Sequence, residues 1–408
     1  MRPDLQRDFI QQVTPESYAR VKAELHEWLG FPIAYRVCEM PIFVSEAFRH
    51  TLEEAAIDIV RQCVSPSVLE HTKSTLEPRY TVPNEAPRPL FCVVDFAVCK
   101  NAEGEFIPKL IELQGFPSLY GYQYVFAEHM QRAYTLSGTP LMGGLDDDAY
   151  LTLLKSVLFA GHDKSQCALL EVDPTHQKTR TDFRALEKLV GLQTLDIRTL
   201  VKVGRTLCYT LAGSAADGSV AHGTAADVLL HPLKRVFNRA IVDELDDLGV
   251  TLPFAWTDDL DIEWAGHPNW YFRISKAVMP WLKHPSVPTT VFLNDVVQLP
   301  DDLSSFVLKP LFSFAGKGVI LSPTRADIDA IPSQDRHLFV LQERVTYDPC
   351  IATPFGDNKV EIRVMLIWPD ASESPIPVIS LARTGRGALM GARYNTEPWT
   401  GSSGCLFV

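Results

Sequence analysis

Apolar positions follow a helical period in the first part of the chain and change to strand-like runs beyond it. The pattern predicts one helix over residues 14–30, with Pro15 at its first position, and a second over residues 45–63. In the second, apolar residues recur on one face, which is typical of a helix packed on a core. Two apolar runs, 90–99 and 106–113, then flank a short polar turn and predict a β-hairpin.

The middle of the chain alternates between strand-like and helix-like patterns. Residues 167–172 and 193–197 predict strands, and residues 182–190 predict the helix between them, which indicates a βαβ unit. A further strand over 228–231 is expected to lead into an amphipathic helix over 236–248. We expect a Rossmann-like α/β subdomain here. No GxGxxG pattern follows its first strand, so a nicotinamide cofactor is not indicated.

The last third consists mainly of strands separated by glycine-containing loops. The predicted strands are 290–292, 305–309, 318–321, 339–343, 361–368 and 377–383. Changes of pattern near residues 160 and 290 divide the chain into three predicted units. These units are an N-terminal helical region with the hairpin (1–160), the α/β subdomain (161–289) and a strand-rich core (290–408).

Composition narrows the classes of partner. The 408 residues are 46% hydrophobic and carry 50 acidic against 38 basic side chains, a net charge of −12. This sign opposes binding to nucleic-acid phosphates or anionic membranes, so neither is expected as a partner. The eight cysteines include no CxxC pair, and no apolar run approaches the roughly 20 residues that span a bilayer. The sequence therefore predicts a cytoplasmic protein.

The first candidate for chemistry is the loop that follows Lys309. The strand over 305–309 ends in this lysine, and a loop containing Gly316, Lys317 and Gly318 leads to the next strand. Glycine lets backbone N–H groups approach phosphate oxygens, and lysine offsets phosphate charge. The loop joins two strands and lacks GxxxxGK[ST], so it is not a Walker A loop. Taken alone, the segment is equally an ordinary hairpin with a solvated lysine.

The later strands extend this pattern into an ordered set of motifs. Along the chain they are Lys309-Pro310, Gly316-Lys317-Gly318, Gln342-Glu343, Glu361-Ile-Arg363 and Arg383. The set resembles the ATP-grasp superfamily. Members of that superfamily hold ATP between two antiparallel sheets and typically join a carboxylate to an amine or thiol through an acylphosphate. The resemblance implies that ATP is the cofactor.

The resemblance also implies a role for each matching position. The residues it assigns to the nucleotide are Lys309, Ser313, Gly316, Lys317, Gly318, Gln342, Glu343, Val345, Arg363 and Asn395. Within this set, Lys309 would contact the α-phosphate and the adenine side, and Arg363 would meet the γ-phosphate. Arg363, Arg383 and Lys317 are predicted to be catalytic, since their charges would neutralise the transferred phosphoryl group. The alternative for Arg383 is a surface arginine.

The end of the chain lacks the acidic metal-binding strand with which ATP-grasp enzymes normally finish. The early hairpin supplies that pattern, with Asp95 on its first strand and Glu112 and Gln114 on its second, followed by Pro117. Strand alternation puts Glu112 and Gln114 on one face of the sheet. The resemblance implies that these three residues bind Mg²⁺, with Mn²⁺ as an alternative, although glutamine stands where asparagine is usual. The other interpretation is a polar hairpin face.

The chain thus resembles a circularly permuted ATP-grasp protein, an arrangement also found in the glutathionylspermidine synthetase family. The implied fold is α/β, α+β in the grasp portion, with a Rossmann-like pre-grasp subdomain and an N-terminal helical region. The implied function is Mg²⁺- and ATP-dependent ligation of a small-molecule or peptide carboxylate to an amine or thiol. Two alternatives stay open, a catalytically degenerate ATP-binding or scaffold protein and an ATP-grasp phosphotransferase. Nothing in the sequence indicates the oligomeric state.

Three other segments carry functional side chains. Residues 233–239 are predicted to be the solvated start of a helix, with a basic patch toward phosphate or a substrate carboxylate as the alternative. Residues 267–273 form an aromatic cluster that is expected in the core. Lys276 lies in a predicted helix around 275–282 and is expected to be within reach of the nucleotide.

Overall fold

The computed structural model describes residues 1–210, 229–312, 316–391 and 394–408. The α-helices are α1 (Pro3–Gln12), α2 (Pro15–Leu29), α3 (Glu46–Cys63), α4 (Pro66–His71), α5 (Tyr120–Tyr134), α6 (Asp147–Phe159), α7 (Arg180–Val190), α8 (Val242–Asp247), α9 (Asn269–Arg273) and α10 (Arg325–Asp329). The strands are β1 (Ile42–Val44), β2 (Phe91–Lys100), β3 (Phe106–Gln114), β4 (Cys167–Glu171), β5 (Gln193–Asp196), β6 (Val201–Val203), β7 (Thr206–Thr210), β8 (Leu230–Pro232), β9 (Arg235–Asn238), β10 (Glu263–Ala265), β11 (Thr290–Phe292), β12 (Phe306–Pro310), β13 (Ile320–Leu321), β14 (Phe339–Glu343), β15 (Ile351–Thr353), β16 (Gly356–Ile367), β17 (Ile376–Gly385) and β18 (Gly401–Phe407).

The two predicted N-terminal helices are confirmed, and their ends follow ordinary capping chemistry. The hydroxyl of Thr14 accepts a hydrogen bond from the backbone N–H of Ser17 at 3.2 Å and so caps α2. Gly30 ends α2 with a φ of 83°, a left-handed conformation that suits glycine. Ser45 caps α3 in the same way as Thr14 caps α2.

A seven-stranded sheet joins strands from both ends of the chain. Its order is β1-β18-β17-β16-β2-β3, with β15 paired to β16, and the predicted hairpin β2–β3 therefore sits beside β16. Alternate residues along these strands point to opposite faces. Val94 and Ile362 join a core with α1 and α3, whereas Val93 and Met365 face a second core built on α5. The sheet is thus buried on both faces.

Three smaller sheets complete the architecture. The parallel sheet β10-β9-β4-β5 contains the predicted strand–helix–strand unit, since β4 and β5 pair in parallel and α7 lies between them in sequence. An antiparallel sheet, β11-β14-β12-β13, contains the lysine strand β12. The third sheet consists of β6, β7 and β8.

The helix predicted over residues 236–248 is wrong in its first part. That part is strand β9, which lies between β4 and β10 in the parallel sheet, and only Val242–Asp247 is helical. Short apolar runs do not distinguish a buried strand from a helix, and here burial on both faces selects the strand. The strand predicted over 228–231 begins outside the described residues. Its described part belongs to β8, which pairs antiparallel with β7.

Three further features concern the cysteines, the helices and the aromatic segment. The cysteines are free, and they are buried apart from Cys350, which is half-buried. Among the described residues, no helix combines the length and the apolar character that crossing a membrane would require. The aromatic segment 267–273 is buried as predicted, with Trp270 in the core beside α3.

Candidate active site

A cavity of about 600 Å³ lies where the seven-stranded sheet, the parallel sheet and the β11–β14 sheet meet. Two groups of side chains, each containing buried charged residues, line it. The first group, called here the lysine–arginine wall, consists of Glu112, Gln114, Lys276, Lys309, Arg363 and Arg383. The second group, called here the Arg239 wall, consists of Phe116, Glu171, Arg239, Ile241 and Leu245.

Lys309 is the central cation of the lysine–arginine wall. It lies on β12, and its ammonium donates hydrogen bonds to the carbonyl of Ile111 at 3.1 Å and to the side-chain oxygen of Gln342. Burial lowers its pKa to about 8, against the attraction of the Glu112 carboxylate. Lys276 also lines the cavity, and burial lowers its pKa too. The wall therefore holds two buried ammonium groups near one carboxylate, an arrangement suited to a polyanionic ligand.

Glu112 and Gln114 face the cavity together, as strand alternation predicts. Their side chains are neighbours, with Gln114 Nε2 3.4 Å from Glu112 Oε1. The next residue, Gly115, has to be a glycine. A Cβ at this position would lie 2.4 Å from the carbonyl oxygen of Trp270, which is too close for any side chain. The glycine thus allows the hairpin to end against α9.

Glu112 and Gln114 are the residues that could hold a cation. Within the described parts of the chain, no cluster of three or more His, Cys, Asp or Glu side chains could bind a metal. Mg²⁺ commonly takes one or two protein oxygens and completes its shell with water and substrate phosphates. The carboxylate of Glu112 and the amide oxygen of Gln114 fit that requirement.

A buried ion-pair network lies under the same wall. Arg363 donates two hydrogen bonds to Asp95, each at 2.6 Å, and Arg383 donates a third at 3.2 Å. Burial would raise the pKa of Asp95, but the two guanidinium groups and their hydrogen bonds outweigh burial and hold it at about 2. Arg383 also donates to Glu361, whose other oxygen accepts from the hydroxyl of Tyr347 at 2.9 Å.

Several predicted site residues do not reach the cavity. Asp95 is only 1% exposed and lies beneath Arg363. Glu343 is exposed on the face of β14 opposite to Gln342, because neighbouring strand residues point to opposite sides. Lys317 and Gly318 are exposed and lie outside the cavity lining, whereas Gly316 and Val345 belong to it. Ser313 lies outside the described residues.

Asn395 lines the cavity but has a structural partner. Its side-chain amide donates a hydrogen bond to the carbonyl of Met390 at 2.8 Å, and this bond stabilises the loop that contains both residues. Gly385 packs directly against it, since a Cβ at that glycine would lie 2.3 Å from the Asn395 oxygen. The predicted nucleotide contact of Asn395 stays a prediction.

Arg239 is the residue that the sequence placed wrongly. It was expected at the solvated start of a helix, but it follows buried strand β9 and is only 4% exposed. Its Nε and Nη1 atoms are buried without a hydrogen-bond partner among the described residues. The ring of Phe116 lies 4.8 Å from its guanidinium carbon and that of Phe183 lies 5.9 Å away. A buried guanidinium with two nitrogens that lack a hydrogen-bond partner on a cavity wall suits an anionic ligand group.

Glu171 stands beside Arg239 because β4 and β9 are parallel neighbours. Leu170 pairs with Asn238, so the residues that follow them, Glu171 and Arg239, come to the same edge of the sheet. Burial raises the pKa of Glu171 to about 7, although the charge of Arg239 lowers it. Ligands of parallel α/β sheets bind at the carboxyl ends of the strands. Charged residues just after two short apolar runs, Glu171 after Leu170 and Arg239 two positions after Phe237, were the sequence signal for this wall.

Asp182 links the Arg239 wall to helix α5. Its carboxylate accepts hydrogen bonds from the backbone N–H groups of Leu119, Gly121 and Tyr122, at 2.9, 2.8 and 3.0 Å. Asp182 therefore caps the first turn of α5, where a negative charge is favourable. It contributes charge near Arg239 but no free oxygen to a ligand.

The fold is similar to that of a protein of known structure, a glutathione synthetase-like effector from Globodera pallida in its apo form. The match has a TM-score of 0.57 and covers 97% of this chain and 98% of that one, at 11% sequence identity. The fold is glutathione synthetase-like. The match supports this fold and not membership of the glutathionylspermidine synthetase family. No protein-family model and no curated protein matches the sequence.

Proposed function

We propose that the protein is an ATP-dependent ligase that joins a carboxylate to an amine or thiol through an acylphosphate. One observation carries the proposal: one cavity is lined both by the cations of the lysine–arginine wall and by Arg239, whose Nε and Nη1 atoms have no hydrogen-bond partner among the described residues. A protein that only binds nucleotide needs the first wall. The second wall is what a ligase requires for a separate anionic substrate.

The nucleotide would lie along the lysine–arginine wall. Lys309 and Lys276 would contact its phosphates, and Gln342 and Val345 line the part of the cavity next to β14, where adenine and ribose would lie. Glu112 and Gln114 would hold Mg²⁺, which would supply positive charge to offset the charge of the phosphates.

The acceptor carboxylate would approach from the Arg239 wall. Burial lowers the pKa of Arg239 and the charge of Arg363 lowers it further, so the two guanidinium groups are within electrostatic reach of each other. A carboxylate oxygen placed between them would attack the terminal phosphorus, with ADP leaving and an acylphosphate forming. Arg363 and Arg383 would offset the charge that develops in this step. An amine or thiol would then attack the acyl carbon and release phosphate.

We propose further that the ATP-grasp fold is circularly permuted in this chain. The support is the strand order, since the hairpin β2–β3 carrying Glu112 and Gln114 precedes the lysine strand in sequence yet pairs with β16. We also propose the cytoplasm as its location.

Phosphate release tests the ligase function. Purified protein is given ATP, Mg²⁺ and paired carboxylate and amine substrates, and inorganic phosphate and ADP are measured. We expect release that requires both substrates and that is lost in Arg239→Met and Arg383→Gln. Phosphorylated product formed without an amine would instead indicate a phosphotransferase.

A catalytically degenerate nucleotide-binding protein is the second candidate. Two observations favour it: Glu343 points away from the cavity, and a glutamine accompanies Glu112 where the ATP-grasp pattern has an asparagine. The similar structure is described as an effector, which is compatible with a role that needs no turnover. Tight ATP binding by a protein that releases no phosphate with any substrate pair would favour this candidate.

A further inference from the structure

Asp95 occupies the centre of the charged network under the lysine–arginine wall. On β2 it lies directly opposite Arg363 of β16 and, on its other side, directly opposite Glu112 of β3. Glu112 reaches the cavity from this position and Asp95 does not. The difference comes from the arginine, whose side chain extends over Asp95 and covers it.

Both oxygens of Asp95 are already used. Oδ1 accepts from Arg363 Nε, and Oδ2 accepts from Arg363 Nη2 and from Arg383 Nη1. The two-point contact fixes the plane of the Arg363 guanidinium as well as its position. A cation bound by Asp95 would have to displace this arginine, which would then be buried without its partner.

The network alternates in charge, which explains how two arginines can stand side by side. Asp95 lies between Arg363 and Arg383, and Glu361 lies on the far side of Arg383, where Tyr347 holds its second oxygen. Without an acid between them, the two guanidinium groups would repel each other at short range. Each cation is therefore held in one orientation while both line the cavity.

We propose that Asp95 is a positioning residue that aims Arg363 and Arg383 at a phosphate group of the ligand, and that it is not a metal ligand. The inference rests on the proposed function, which assigns phosphates to this wall. Among the described residues, Glu112 and Gln114 are then the side chains assigned to the cation. Asp95 acts on the ligand only through the arginines.

Calorimetric titration with inorganic pyrophosphate, in EDTA and in Mg²⁺, separates the two roles. Asp95→Asn is expected to weaken binding by about tenfold or more in both buffers, because the arginines lose their anchor. Glu112→Gln is expected to weaken binding only in Mg²⁺. Glu85→Gln is the control, since Glu85 pairs with Arg273 away from the cavity lining and its loss should change nothing.

The outcomes distinguish the inference from the proposed function. If Asp95→Asn weakens binding only in Mg²⁺, as Glu112→Gln does, Asp95 is a metal ligand and the inference fails while the phosphate wall stands. If the folded wild type binds no pyrophosphate in either buffer, the inference about Asp95 and the proposed function both fail.

A measurement on the wild type keeps the test decisive if Asp95→Asn does not fold. In protein labelled with ¹⁵N-arginine, the Nε–H signal of Arg363 is assigned by its absence in Arg363→Lys. Because that hydrogen is buried against Asp95, we expect slow exchange with solvent that persists at saturating Mg²⁺ and pyrophosphate. Exchange that becomes fast when Mg²⁺ is added would show that the cation displaces the arginine and would overturn the inference.

Discussion

Raising the pH is expected to weaken nucleotide binding through one residue, Lys309. Burial lowers the pKa of its ammonium group to about 8. A bound phosphate stabilises the ammonium, so binding takes up a proton wherever the free lysine is neutral. Between pH 7 and pH 9 the protonated fraction of Lys309 falls from about nine-tenths to about one-tenth, which predicts about tenfold weaker binding at pH 9.

The assay is calorimetric titration with a non-hydrolysable ATP analogue across this pH range. Lys309→Met is the matched comparison, because it keeps a long side chain but has no proton to lose. Lys309→Met is expected to bind the analogue weakly at every pH. Subtracting its pH profile of binding free energy from that of the wild type removes the contributions of the analogue's own titration and of other protein groups. Parallel pH profiles for the wild type and Lys309→Met would refute the reasoning.

The same lysine has the opposite effect on folding stability. Its pKa is lower in the folded protein, at about 8, than the ordinary value of 10.5 expected in the unfolded chain. Between these values the unfolded chain binds more protons, so the stability of the ligand-free protein rises with pH. Lys309→Met is therefore expected to raise the free energy of unfolding below pH 8 by more than it does near pH 10, as measured by urea denaturation.

Three further substitutions test other parts of the cavity. Arg239→Met is expected to abolish amine-dependent phosphate release while ATP-analogue affinity stays within about threefold, and an equal loss of both would contradict separate walls. Gln114→Asn should retain the Mg²⁺ dependence of analogue binding that Glu112→Gln loses, because the first keeps an amide oxygen at position 114 whereas the second removes the negative charge that attracts the cation. Gly115→Ala should lower the free energy of unfolding by about 1–3 kcal/mol, since its Cβ would meet the Trp270 carbonyl. An unchanged urea midpoint would contradict that packing.

Local patterns in the sequence predicted much of the fold. The helices α2 and α3, the hairpin β2–β3 and the unit around α7 follow from apolar periodicity and from caps such as Thr14, Ser45 and Gly191. Strand β18 was missed because its first residues are glycine and serine, which have low strand propensity. It forms because β17 and β1 supply partners on both sides, and pairing of this kind is invisible in a local window.

The candidate site was predictable where strand alternation alone decides which side chains share a face. Glu112 and Gln114 are two residues apart on one strand and do face the cavity together. Asp95 was grouped with them, but its orientation depends on an arginine more than 260 positions away in the sequence, at Arg363. The solvated helix start predicted for Arg239 was wrong because its environment arises from the parallel pairing of β4 and β9, and only the alternative of a basic patch gave it a binding role.

Glu112 and Lys309 line one cavity although they are far apart in the sequence, and the proposed function requires both to act on one nucleotide. The most direct measurement is calorimetric titration with the ATP analogue, with and without Mg²⁺, for the wild type, Glu112→Ala and Lys309→Ala. Lys73→Ala, at an exposed lysine outside the cavity lining, is the control. We predict Mg²⁺-dependent binding that falls by at least about tenfold in both cavity variants and is unchanged in the control. A folded wild type that binds no analogue, or a loss confined to one of the two variants, would contradict a shared site.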